Sequence, residues 1–96
     1  MRYLRVQWIH SHPDDPVMLY SELDDTGWEM RKVEMFQDGR IGFASLSEAT
    51  PGTELGEKPV PALEAIAADP QFKPAWISHD EFEKVWAKRF CPVPES

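Results

Sequence analysis

The sequence is short of several things, and each shortage removes a class of function. Of its 96 residues only Cys91 is cysteine, so no intrachain disulfide can form and nothing points to an oxidising compartment. Positive charge is scarce: 10 Lys and Arg against 17 Asp and Glu give a formal net charge of −7, a field that repels phosphate backbones and anionic headgroups. Nucleic acid and membrane are both disfavoured as partners. No stretch approaches the roughly 20 apolar residues of a membrane span. The start, Met1-Arg2-Tyr3-Leu4-Arg5-Val6, alternates charged and apolar residues where a secretory signal needs an unbroken apolar run of about 7 to 15. Cytoplasmic residence is the expectation. There is no glycine-rich phosphate loop and no Gly-x-Ser-x-Gly elbow, and Cys91 sits beside a proline, so nucleophilic catalysis has little to work with.

What is present builds one domain. A chain this short has material for a single core. With 42% hydrophobic residues and four tryptophans that core needs neither disulfide nor metal staples. No cofactor is called for by any pattern. Residues 1–91 read as one α+β domain, and residues 92–96, with Pro92 and Pro94, as a frayed C-terminal tail.

Periodicity supplies the elements. Leu4, Val6 and Trp8 oppose Tyr3, Arg5 and Gln7, the two-residue repeat of a half-buried strand, and the alternation returns from Val17 to Leu23. Asp24-Asp25-Thr26-Gly27 is a turn by composition. A third strand runs from Trp28 to about Gln37, and Asp38-Gly39 predicts a hairpin of type I′ into a fourth, from Arg40 to about Leu46. The third strand alternates poorly, which predicts either a bulge that shifts its parity or two partly covered faces; the bulge is the favoured reading.

After a loop over residues 47–60, Pro61 opens a short helix with Leu63, Ile66 and Ala67 on one side, ended by Asp69-Pro70. Residues 71–77 read as a connector anchored by Phe72 and Trp76. Ser78-His79-Asp80-Glu81 is a capping box opening a second helix, whose inward stripe is Phe82, Val85, Trp86 and Arg89. The predicted architecture is a four-stranded antiparallel meander followed by two C-terminal helices packed on one sheet face.

Three groups of residues bear on chemistry. His10, His12, Asp14 and Asp15 crowd the first loop, and paired imidazoles near carboxylates suit zinc. That run looks like the H-x-H-x-D-H signature of metallo-β-lactamase-type hydrolases. However, Asp15 stands where the final histidine belongs, and that fold needs about twice this length. A polar connection fixed by Pro13 is the favoured reading. Glu22, Asp24, Asp25 and Glu29 crowd the second turn, where solvated carboxylates make an acidic rim rather than an acid–base pair. Arg5, Tyr20, Glu22 and Arg31 line what is expected to be an open sheet face, offering a recognition surface; cross-strand ion pairing explains the same charges.

The runs Tyr20-Ser21-Glu22-Leu23-Asp24-Asp25, Trp28-Glu29, Arg31-Lys32-Val33-Glu34, Phe36, Asp38-Gly39-Arg40 and Phe82-Glu83-Lys84-Val85-Trp86 resemble a family of small bacterial proteins carried as a domain of unknown function. The resemblance covers nearly the whole chain and implies a stand-alone cytoplasmic bacterial domain. It brings no activity, ligand or catalytic residue with it. The leading expectation is therefore a non-enzymatic interaction domain that binds a basic protein through its acidic surface, for instance an immunity-type protein against a basic toxin. The alternatives are a small metal-dependent hydrolase built on His10, His12, Asp14 and Asp15, and a small-molecule binding domain with a pocket between sheet and helices.

Overall fold

The structure, a computed structural model, describes residues 1–90. Cys91 and the tail of residues 92–96 lie outside the described residues. The elements in chain order are β1 (Arg2–Trp8), β2 (Met18–Leu23), β3 (Glu29–Met35), β4 (Ile41–Ser45), α1 (Leu63–Ala67), β5 (Phe72–Ile77) and α2 (His79–Ala87), followed by a single 3₁₀ turn, Lys88–Phe90. The fold is α+β, with one antiparallel sheet and two helices, and no helix among the described residues is long and apolar enough to cross a membrane.

Several details differ from expectation. The connector after the first helix is a strand: β5 pairs antiparallel with β1, giving a five-stranded sheet in the order β4-β3-β2-β1-β5. Pro74 conceals it, because a proline argues against a strand unless its missing N–H faces away from the ladder. Here it does: Ile9 N bonds to Gln71 O at 2.7 Å, so that pair exchanges hydrogen bonds, and the alternation puts Pro74, opposite Val6, in a non-bonded pair on the outer edge.

The helices also lie on opposite faces of the sheet. Register sorts the side chains into rows. Ser45, Arg31, Glu22, Tyr3 and Ile77 face one side with Phe43, Val33, Tyr20, Arg5 and Ala75; Ala44, Lys32, Ser21, Leu4 and Trp76 face the other with Gly42, Glu34, Leu19, Val6 and Pro74. On the first face Phe82 and Val85 of α2 bury against Tyr20, Val33 and Phe43, with Trp86 packed beside them. On the second, Leu63 and Ile66 of α1 pack on Leu4, Val6 and Leu23.

Both readings of β3 hold at once. Glu22 pairs with Arg31 but Leu23 pairs with Glu29, so Met30 is an extra residue that swings Glu29 onto the α1 face while Arg31 stays under α2. The two hairpin turns share one construction, in which Gly27 (φ 91°) and Gly39 (φ 89°) are left-handed and donate to Asp24 O and Phe36 O. Asp38 keeps a negative φ, so the expected type I′ turn is instead a three-residue loop with glycine in the bulge position.

The edges are closed locally. Loop residues cover β4, where Thr50 N bonds to Phe43 O at 2.9 Å and Thr53 packs against Gly42. A Cβ at Gly42 would sit 2.3 Å from the Thr53 hydroxyl, so that approach demands glycine.

α2 starts as its sequence predicts, with Glu81 N donating to the Ser78 hydroxyl at 3.1 Å. α1 begins two residues after Pro61, has no side-chain cap and buries none of its residues.

Candidate functional site

The residues expected to form one recognition surface divide among three places. Under α2, Arg31 is the centre of a closed network. Its Nε and Nη2 donate to the two Glu22 oxygens at 2.9 and 2.7 Å, and its Nη1 and Nη2 to the Glu83 oxygens at 3.2 and 2.6 Å. The guanidinium also lies 4.9 Å from the Phe82 ring centroid and 5.0 Å from that of Trp86. Arg31 hydrogen bonds hold Glu22 below the usual carboxylate range and take Glu83 down to about 2, with the His79 ring at 2.8 Å adding to the effect on Glu83.

The same pairs raise Arg31 above its ordinary value. Burial, followed by neighbouring Glu22, raises the Tyr3 phenol, and burial raises Tyr20. Arg5 reaches Glu81 at 3.4 Å. This face is covered by α2, and its charges are engaged with one another.

At the β2–β3 turn, Asp24 folds its carboxylate back onto the backbone N–H groups of Trp28 and Thr26, which lower its pKa together with the Thr26 hydroxyl. Asp25 is exposed beside it.

Glu29 is neither on this rim nor on the α2 face. It is buried on the α1 side, where one oxygen accepts from Ser21 Oγ at 2.7 Å while the other accepts from Gly56 N at 2.7 Å and meets Lys32 Nζ at 3.2 Å. Lys32 also donates to Glu54 O at 3.0 Å. The Met30 bulge makes this cluster possible, because it turns Glu29 to the side of Ser21 and Lys32.

The cluster forms one wall of a cleft of about 330 Å³ between the sheet and α1. Leu4, Val6 and Leu19 make the floor, Ile66 and Phe72 the wall opposite Lys32, and Asp69 also lines the cleft. Volume and lining match ligand pockets, which are mostly apolar with a few placed polar groups and span about 300–1,000 Å³. A pocket between sheet and helices is among the alternatives the sequence allows, but its residues come from separate elements and meet only in the fold.

In the first loop the His10 ring is taken up by the backbone. His12 N donates to His10 Nδ1 at 2.9 Å, which leaves the proton on Nε2, and this donates to Pro16 O at 2.8 Å. With both nitrogens engaged, the imidazole staples the loop and packs edge-on against Trp8, ring centroids 4.5 Å apart. Asp15 N donates to His12 O, and Asp14 instead lines a depression with Phe36 and Arg40. No group of three or more His, Cys, Asp or Glu side chains is placed to share an ion among the described residues.

No curated protein and no solved structure matches the chain. One family profile does, over residues 2–91, and its description is a domain of unknown function, DUF6881. That match takes in every element of the sheet and both helices, so the chain belongs to the DUF6881 family of domains of unknown function.

Proposed function

We propose that this domain is a non-enzymatic, cytoplasmic bacterial binding module that recognises a basic protein, with an immunity-type protein opposing a basic toxin as its concrete form. The observation that carries the reading is where the carboxylates fall. Arg5, Arg31, Lys32, Arg40 and Arg89 are each tied to a carboxylate of the same chain, so half of the basic residues are already paired within it. Outside those pairs, several exposed acids lie together near the β2–β3 turn. The Val60 N–Gly27 O bond of 2.8 Å fastens the segment carrying Glu57 and Glu64 to the turn of Asp24 and Asp25, and the Gly56 N–Glu29 bond holds Glu54 close by. With a net charge of −7, such a cluster speeds encounter with a cationic surface.

The test is a charge reversal. A variant carrying Asp25→Lys, Glu57→Lys and Glu64→Lys alters three exposed side chains and should keep the wild-type circular dichroism. The expected result is that a basic partner from the host binds the wild type with an affinity that falls as salt rises, and that the variant loses it. An acidic partner, or binding indifferent to both salt and charge reversal, overturns the reading. A gene adjoining a toxin-like reading frame would support the immunity form, and isolation from any such frame would remove it.

A further inference from the structure

We infer that the cleft between α1 and the sheet seats a lysine or arginine side chain of that basic partner, its methylene stem on the apolar floor and its cationic head at Asp69. The inference rests on the basic-partner reading and adds the place and chemistry of the contact. It starts from what the lining leaves unsatisfied. The buried end is closed: Glu29 receives Ser21, Gly56 and Lys32, and Lys32 is neutralised by Glu29 and held by Glu54 O, so neither group offers a net charge to an incoming ligand.

What remains is apolar surface from Leu4, Val6, Leu19, Ile66 and Phe72, together with one carboxylate. Asp69 accepts from Gln71 N through Oδ1 at 2.9 Å and has no ion-pair partner among the described residues. An aliphatic stem ending in a cation fits that combination, because Lys and Arg bury their methylenes along apolar surface while the head keeps a polar partner. An anionic head would meet Asp69 and the field of a chain at −7. The volume, about 330 Å³, lies at the small end of ligand pockets and suits a side chain better than a large cofactor.

Amide chemical-shift titration of the full chain with n-pentylammonium, sodium hexanoate and n-pentanol tests the inference directly. These share an apolar stem and differ in the charge of the head. Saturable shifts from n-pentylammonium are expected at Val6, Leu19, Ile66, Asp69 and Phe72, with a dissociation constant on the order of millimolar. Asp69→Asn keeps an oxygen for the Gln71 amide and should weaken n-pentylammonium roughly fivefold without moving the unliganded spectrum elsewhere.

Equal or tighter binding of hexanoate or pentanol, shifts outside the cleft, no saturation, or an Asp69→Asn variant that binds as the wild type does would each overturn it. The two proposals fail separately. If charge reversal at the acidic cluster abolishes partner binding while Asp69→Asn and pentylammonium leave it untouched, the partner is basic and the cleft is not its seat.

Discussion

The two faces of the sheet are dressed by helices of unequal means. α2 has nine residues, a side-chain cap, and Phe82 fully buried at 0% exposure; α1 has five residues, no side-chain cap and no buried residue. An isolated helix that short has no stability of its own and depends on what it touches. The α2 side consequently closes over Tyr20, Val33 and Phe43 and seals its charges into the Arg31 network, whereas the α1 side leaves a trough over Leu19 and Val6. The α2 face is closed by a helix with its own buried anchors, and room for a ligand is left on the other.

The largest effect expected is at the anchor of the closed face. Phe82→Ala removes a fully buried ring and should cost about 3–5 kcal/mol in urea denaturation. A loss under about 1 kcal/mol would break the distinction between the faces. Next comes Arg31→Ala, which strands Glu22 beneath the helix and should cost about 2 kcal/mol by the same measurement.

The same network fixes a pH dependence. Glu22 and Glu83 titrate lower in the folded chain than their ordinary value of 4.5, so their stabilisation is present above that value and is lost as pH falls towards the folded values, about 2 for Glu83. Melting temperature should therefore decline between about pH 5 and pH 2, and Arg31→Ala should flatten the decline. Ser78→Ala, which removes the α2 cap, should cost about 1 kcal/mol. On the open face Ile66→Ala should cost least, under about 1 kcal/mol, because Ile66 is only half-buried on a helix that is itself marginal.

Much of this frame is legible in the sequence, for physical reasons that also mark where legibility stops. Strands β1 and β2 announce themselves by alternation, β3 and β4 by the turn residues that bound them, and α2 by its capping box and the Phe82–Val85 stripe. β5 hides because Pro74 interrupts a six-residue strand, and a proline tolerated on an outer edge looks locally like one that ends a strand. The placement of helices on opposite faces hides because both faces of the sheet carry apolar rows, Leu4, Val6 and Leu23 on one and Tyr20, Val33 and Phe43 on the other, and neither row names the helix that covers it. Arg31 is visible as a charge in a strand, but that α2 lies over it is not, because Glu83 comes from 52 residues further along. A pocket between sheet and helices can be entertained, but its lining cannot be read: Ser21, Glu29, Lys32 and Asp69 look like ordinary surface residues until the fold gathers them. The histidine loop shows the reverse, an apparent ligand set in which the His10 imidazole is already occupied by the loop's own backbone.

Native-state hydrogen exchange tests the contrast between the faces most directly. Amides of α2, Phe82 to Trp86, should be protected to the level of global unfolding, while those of α1, notably Ile66, should exchange through a local opening of much lower free energy. Protection of Ile66 equal to that of Phe82 would contradict the account, because the α1 face would then be as firmly closed as the face under α2.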